Sequence, residues 1–316
     1  MREGALLDFA AKQTKLARKV YAVYEAGPFG FGLCRKLRAL GVECYVVRPK
    51  KLDPYCKRVQ TDKTDSQELL QDLDRYVRGN KRALAVIRIP AVEEEIKRSV
   101  ARQRDALCRD LRRLASRGRG LLLYYGIRTS NHWHKARNWA EIKDLVDPRI
   151  RAVLESYKTI IESIATQIRP LEAQLSQAAP KNLPLGFGAL TFELILREIL
   201  SWHRFSKRRQ VGGFMGLCGG VSSSGLLHID LSISKSGHKR LRTLLVELAW
   251  RMSFYQPNCP LIKKWARVLK APHASKGKRK QAIVAVARQL AVDIWKWQTG
   301  RTTPEELGWI MKGATA

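Results

Sequence analysis

KVYAVYEAGPFGFGLCRKLRALGVECYVVR, residues 19–48, decides the reading of the amino-terminal part of this chain. Lys19 to Glu25 (KVYAVYE) alternates and is rich in β-branched and aromatic residues, as a half-buried strand requires. Glu43 to Arg48 (ECYVVR) repeats that character after an amphipathic stretch from Phe29 to Leu40, so the segment reads strand, helix, strand. A polar helix over Thr64–Arg78 and a third strand-like run, Ala83 to Ile89 (ALAVIRI), extend the alternation. Such alternation predicts a mainly parallel α/β sheet whose functional groups stand at the carboxyl ends of its strands.

From Val92 the period changes. Ile96, Val100, Leu107, Leu111 and Leu114 recur at helical spacings, and Ile150, Leu154, Tyr157, Ile161, Ile164, Ile168, Leu171 and Leu175 do so again. Two such seams predict an antiparallel helical hairpin or coiled coil, with Gly118 to Asn138 as the turn region. Ala179 to Pro184 (APKNLP) ends the second helix, because proline cannot continue it. The last third opens on Leu185–Gly188 (LGFG) and a helix to about Trp202. It then carries a Gly/Ser-rich segment, Val211 to Gly225 (VGGFMGLCGGVSSSG), helices near 238–254 and 280–297, and a basic loop, Lys276 to Lys280 (KGKRK).

The 316 residues suggest about two domains, and 45% apolar residues suffice for a core in each. Lys+Arg number 59 against 28 Asp+Glu, a net charge of +31. That excess runs from Arg2 to Lys312, which calls for a polyanionic partner, nucleic acid before an anionic membrane surface. No stretch approaches the ~20 apolar residues that span a bilayer, and the Met1 region lacks a signal peptide's apolar core. Neither a secreted nor a membrane-spanning protein is expected. The six cysteines are scattered without a CxxC pair, which predicts reduced thiols in a cytoplasm and no zinc finger.

Acids are scarce, so their positions carry information. Glu25 closes the first strand before Ala26, Gly27 and Pro28. Asp62 and Asp65 lie three apart, on one face if a helix starts near Thr61. Carboxylate oxygens of this kind suit Mg²⁺, while the plain alternative makes Thr61 or Asp62 an N-cap and Asp65 a favourable first-turn charge. Ser222, Ser223 and Ser224 precede Gly225 and are followed by Lys235, His238, Lys239, Arg240 and Arg242. A serine beside cations can attack a phosphate; a polar turn before a cationic helix is the alternative. His132 and His134 lack a nearby third ligand and read as a hairpin tip. LGFG could hold a phosphate on its amides or simply open a helix, and the eight tryptophans divide between core and base-stacking platforms.

Taken together, VYEAGPFGFGL, VVRPKK, RVQTDKTDSQEL, GLCGGVSSSG, ISKSGHKRLRTLLVELAW and RKQAIVAVARQLAVDIW resemble, across nearly the whole chain, the DEDD transposases of insertion sequences. These are the bridge-RNA-guided recombinases, to which the Piv DNA invertases are also similar. The resemblance implies an α/β RuvC-like domain of RNase H fold over residues 1–91, a long helical coiled-coil linker over 92–182, and a mostly helical transposase domain with a catalytic serine over 183–316. It implies Mg²⁺-dependent DNA cleavage and exchange, DNA and a guide (bridge) RNA as partners, and a homo-oligomer, dimer or tetramer, with no membrane role. Glu25 matches the family's glutamate, Asp62 and Asp65 its last two aspartates, and Ser224 its serine, with Ser223 the fallback. Lys235, Lys239, Arg240 and Arg242 are then expected to contact nucleic acid. Gln60 stands where the family has lysine. The family's first aspartate lies on a strand before the glutamate strand; nothing before Lys19 reads as one, and Asp8 sits in a helical segment (GALLDFAAKQTKLARK). An amino-terminally incomplete chain, inactive as it stands, is the expectation. Two other classes stay open at this point: a nucleic-acid-binding remnant without catalysis, and a metal-dependent RuvC-like nuclease without strand transfer.

Overall fold

The computed structural model describes residues 3–27, 29–49, 61–224 and 227–313, with the backbone alone for Ser224, Leu227 and Asp230. The chain divides into two compact units, Met1–Glu93 and Glu94–Ala316. Among the described residues no helix is long and apolar enough to cross a membrane.

In the first unit, β1 (Tyr21–Glu25) and β2 (Glu43–Val47) pair in parallel, from Tyr21↔Glu43 to Glu25↔Val47. The crossover between them is α2 (Gly32–Ala39). Strand alternation sends Ala22, Tyr24, Cys44 and Val46 to one face, where they pack with Leu37 of α2 and with Leu7 and Ala10 of α1 (Glu3–Leu16). Tyr21, Val23, Tyr45 and Val47 face the other way, onto Leu69, Leu73 and Tyr76 of α3 (Asp62–Val77). Two helical layers therefore sandwich a small sheet. Asp8 lies on α1, consistent with the helical period of its segment.

The third strand-like run does not become a regular strand. Val86 makes one bridge to Val47, antiparallel, through Arg48 N–H to Ala85 O at 3.0 Å and Ile87 N–H to Val46 O at 2.8 Å. Only Val86, Ile87 and Ile89 in that run are β-branched, and Pro90 follows, so pairing stops after two bonds.

In the second unit, α4 (Val92–Tyr124) and α6 (Pro148–Ala178) run antiparallel. Ala115 and Leu122 of α4 meet Leu154 and Ile161 of α6 at one end, and Ala101 meets Leu175 at the other. On α6 the buried positions are Leu154, Ile161, Ile168 and Leu175, one per heptad. On α4 they are small: Ala101, Ala115 and Gly118 are buried together with Leu122, whereas Ile96, expected in the seam, is exposed. The turn region begins later than the glycines suggest, because α4 continues through Gly118 and Gly120 to Tyr124. Gly118 is a receptor for the fully buried Trp133, whose Cζ2 would stand 2.0 Å from an added Cβ. The indole N–H of Trp133 donates to Ala115 O at 2.8 Å, and α5 (Ala136–Ile142) adds Trp139 to the same cluster.

The largest core joins α7 (Ala189–Ile199), α8 (Arg208–Met215), α9 (Lys239–Tyr255), α10 (Pro260–Leu269) and α11 (Lys276–Gln298). Part of the Gly/Ser-rich segment and the expected basic loop turn out helical. Val211–Met215 belongs to α8, and KGKRK is the first turn of α11, capped by Ser275 Oγ, which accepts from Lys278 N–H at 3.3 Å. Gly216 to Ser224 of the Gly/Ser-rich segment leads into an antiparallel hairpin, β3 (Gly219–Ser224) with β4 (Leu227–Ile233).

Candidate functional site

Glu25 is the last residue of β1 and is exposed. Its odd register puts it on the sheet face that α3 covers, after Tyr21 and Val23. The turn that follows is held by Tyr24, whose hydroxyl donates to Gly30 O at 2.7 Å, with Gly30 at φ 56°. Along α3, Tyr76 stacks edge-on against Tyr45 at 5.3 Å in the middle of β2, so the carboxyl-terminal part of the helix packs on the sheet.

Thr61 is the N-cap of α3, in a capping box with Thr64. Thr64 N–H donates to Thr61 Oγ1 at 3.3 Å, and Thr61 N–H donates to Thr64 Oγ1 at 3.0 Å. Asp62 and Asp65 therefore stand free of capping duty, side by side and exposed in the first turn, where the helix dipole favours negative charge. Oxygen donors of this kind fit a hard divalent cation. Among the described residues, however, no group of three or more His, Cys, Asp or Glu gathers closely enough to hold a metal, so Glu25 is not drawn into one cluster with the two aspartates. Gln60 and the segment before it lie outside the described residues.

In the second unit, Ser222 and Ser223 are exposed on β3, and the ladder ends at Ser224↔Leu227. The Ser224 side chain and Gly225 lie outside the described residues. The base of the hairpin is fixed by backbone crossing backbone. An added Cβ on Gly237 would meet Gly216 N at 2.2 Å, and one on Gly216 would meet Gly237 N at 2.7 Å, so both positions demand glycine. Gly216 also takes the left-handed conformation that ends α8, at φ 66°. His238 N–H donates to Phe214 O at 2.8 Å, and the Arg242 guanidinium donates to Met215 O and Lys235 O, both at 3.2 Å.

The four cations expected at nucleic acid thus divide. Lys235 and Lys239 are exposed; Arg242 braces the hairpin base; Arg240 is committed to acids, its Nη1 2.9 Å from Glu198 Oε1 and its Nε 3.5 Å from Asp105 Oδ2. Glu198, 3% exposed on α7, also receives Arg102 at 3.3 Å and lies 3.2 Å from His238 Nε2, with Arg98 at 4.0 Å. Burial opposes its charge, but hydrogen bonds from His238 and Arg102 outweigh burial and hold the carboxyl well below the ordinary range. His238 is the N-cap of α9, its Nδ1 accepting from Leu241 N–H at 3.4 Å. One carboxylate therefore ties α4, α7 and the start of α9 together. Sequence reasoning passed over Glu198, although an acid in the apolar run LTFELILREIL of so basic a chain was a signal.

The remaining motifs serve packing. Phe187 of LGFG is fully buried, and Gly188, the N-cap of α7, lies under Arg251, whose Nη1 would stand 2.7 Å from an added Cβ. His132 and His134 flank the buried Trp133 at the hairpin tip, and burial lowers the pKa of His134. Trp133, Trp139, Trp202, Trp295 and Trp309 are buried, Trp265 and Trp297 half-buried, and Trp250 exposed. The described cysteines are free.

A family model described as Transposase IS116/IS110/IS902 family matches residues 184–280, from the LGFG turn through the hairpin to the first turn of α11. The y4rJ protein of Sinorhizobium fredii, named as a transposase, is 30% identical over 98% of this chain and 85% of its own length. The transposase for insertion sequence element IS1111A of Coxiella burnetii is 27% identical over 85% of this chain and 75% of its own. The transposase for insertion sequence element IS1533 of Leptospira borgpetersenii is 24% identical over 77% of this chain and 74% of its own.

Proposed function

Since this chain belongs to the IS116/IS110/IS902 family of transposases, we propose that it cuts and exchanges DNA strands of an insertion sequence through a serine nucleophile, guided by RNA. The amino-terminal unit acts as an RuvC-like metal-binding domain, the α4–α6 hairpin as a coiled-coil linker, and the rest as the transposase domain. The observation that carries this reading is the first turn of α3. Asp62 and Asp65 are exposed, adjacent and relieved of capping by Thr61, on a helix that packs on the sheet that includes β1.

Asp62 and Asp65 would hold Mg²⁺, which when bound neutralises charge at the scissile phosphate. The hairpin delivers the nucleophile. Ser224 Oγ forms a bond to phosphorus as the phosphorus bond to one bridging nucleotide oxygen breaks. The serine proton passes to water, and water returns a proton to the leaving oxygen, leaving a phosphoserine linkage ready for strand exchange. Lys235 and Lys239 neutralise the backbone nearby. DNA and a guide RNA are the partners that a net charge of +31 supports, in a homo-oligomer.

Cleavage of donor DNA in Mg²⁺ with the guide RNA, by the parent and by Asp62→Asn and Asp65→Asn, tests this reading. The parent cleaves, against the expectation from the sequence that the chain is inactive as it stands, and both variants lose cleavage yet retain their melting temperature and nucleic-acid affinity. Cleavage at the parental rate in either variant refutes the assignment, and a joint loss of folding restores a structural role for these acids.

A further inference from the structure

A groove of about 1190 Å³ opens in the second unit between α8, strand β4, α10 and α11, away from the serines at the other end of the hairpin. Its lining includes Arg208, Arg209, Lys264, Lys280 and Arg288, all exposed cations drawn from three different helices. Against them stand two carboxylates. Asp293 is buried, accepts from Gln289 Nε2 at 2.8 Å, and has its pKa raised by that burial. Glu306 is spent on Thr302 Oγ1 at 2.8 Å and Thr303 N–H at 3.1 Å. Between the cations the lining combines Leu217, Leu231, Val284, Val292 and the half-buried indole of Trp265 with the polar side chains of Ser232, Gln281 and Gln289.

Cations around a partly apolar, aromatic floor suit one class of polyanion. A duplex offers phosphates outward and keeps its bases stacked within, so it would lay charge on Leu231 and Val284 and leave Trp265 idle. An unpaired strand can place phosphates against the arginines and lysines while a base covers the indole. We infer that this groove binds an unpaired stretch of nucleic acid, backbone on Arg208, Arg209, Lys264, Lys280 and Arg288 and a base on Trp265. The inference rests on the nucleic-acid reading above and adds to it a strand site that α10, α11 and β4 build. Because β4 is both a groove wall and the return strand of the serine hairpin, a strand seated here runs within about 13 Å of the Leu227 end of that hairpin.

Fluorescence anisotropy of the full chain with a dT12 oligonucleotide, its U12 counterpart and a 12-base-pair duplex tests the inference. Lys264→Glu/Arg288→Glu weakens single-strand binding by ~10-fold and flattens the slope of log affinity against log salt by about 1.4, while duplex binding falls less. Arg117→Glu/Arg119→Glu on α4, outside the groove, changes the same charge and costs little. Trp265→Phe keeps most affinity and Trp265→Leu loses it, with each variant shown to be folded at the assay temperature by circular dichroism, because Trp265 also packs against the core. The dT12 and U12 arms tell whether DNA or RNA occupies the groove. Equal losses in the groove and α4 variants, or an equal loss of duplex and single strand, overturn the proposal while leaving nucleic-acid binding intact. A parent that binds none of the three probes overturns the proposed function instead.

Discussion

Glu198→Gln is the perturbation whose size the structure sets best. The side chain keeps its shape, but a buried acceptor surrounded by Arg102, Arg240, His238 and, at 4.0 Å, Arg98 loses its charge and turns an amide N–H₂ towards a guanidinium. Removing one member of a buried ion pair costs about 3–5 kcal/mol because the partner charges are stranded. Here Arg102 and Arg240 reach solvent in part, their side chains being 49% and 27% exposed, so the lower end applies, ~3 kcal/mol. In a unit of this length each kcal/mol moves Tm by about 2–4 °C, which gives a drop of roughly 6–12 °C. Calorimetry of the full chain measures it. The pH dependence has a fixed sign. The folded pKa is depressed, so the stabilisation is complete above the unfolded value of about 4.3 and is lost as pH falls through the folded one. The gap between parent and variant is therefore constant from pH 7 to about 5 and closes below about 4. A shift under ~2 °C at pH 7, or a gap that fails to narrow in acid, refutes the view that Glu198 joins α4, α7 and α9.

Three glycine substitutions give predictions whose signs follow from the space beside each Cα. Gly118→Ala should gain up to ~1 kcal/mol of intrinsic helicity, yet the added methyl meets Trp133 at 2.0 Å, so a net loss of about 1–3 kcal/mol is expected in thermal melts; a raised Tm shows that the indole does not need the glycine. Gly237→Ala sets a methyl 2.2 Å from Gly216 N and lowers stability by about 2 kcal/mol or more, whereas Gly213→Ala in α8 meets nothing within 4 Å and is neutral or stabilising; equal effects at the two sites refute the backbone crossing.

Periodicity made much of this fold legible. β1, α2, β2 and α3 follow the alternating and amphipathic patterns because each buries a distinct face on the small sheet. The heptad of Leu154, Ile161, Ile168 and Leu175 gave α6 directly. Its partner α4 was harder, since the helix meets its neighbours through Ala101, Ala115 and Gly118, small residues that carry little hydrophobic signal while the larger ones flank them. Gly118 and Gly120 likewise read as a turn when one of them is a notch for an indole 15 residues ahead. KGKRK looked like a loop because four cations at a helix start oppose the dipole, and only Ser275 betrayed the cap. In the candidate site, the spacing of Asp62 and Asp65 was visible and so was the alternative that Thr61 caps the helix; the structure has Thr61 as the cap and both aspartates in the first turn. Arg240 and Arg242 were read as cations for nucleic acid because most of their acceptors, Glu198, Asp105 and Met215 O, are distant in sequence.

The central claim, strand exchange through a serine on the β3–β4 hairpin, is tested most directly by trapping the protein on labelled donor DNA in Mg²⁺ and guide RNA and resolving the products on a denaturing gel. The account predicts a covalent protein–DNA band in the parent, weakened in Ser223→Ala and absent from both Ser224→Ala and Asp62→Asn, each folded by calorimetry. DNA cleavage by the parent without any covalent band, or a band that persists undiminished in Ser224→Ala, would contradict it.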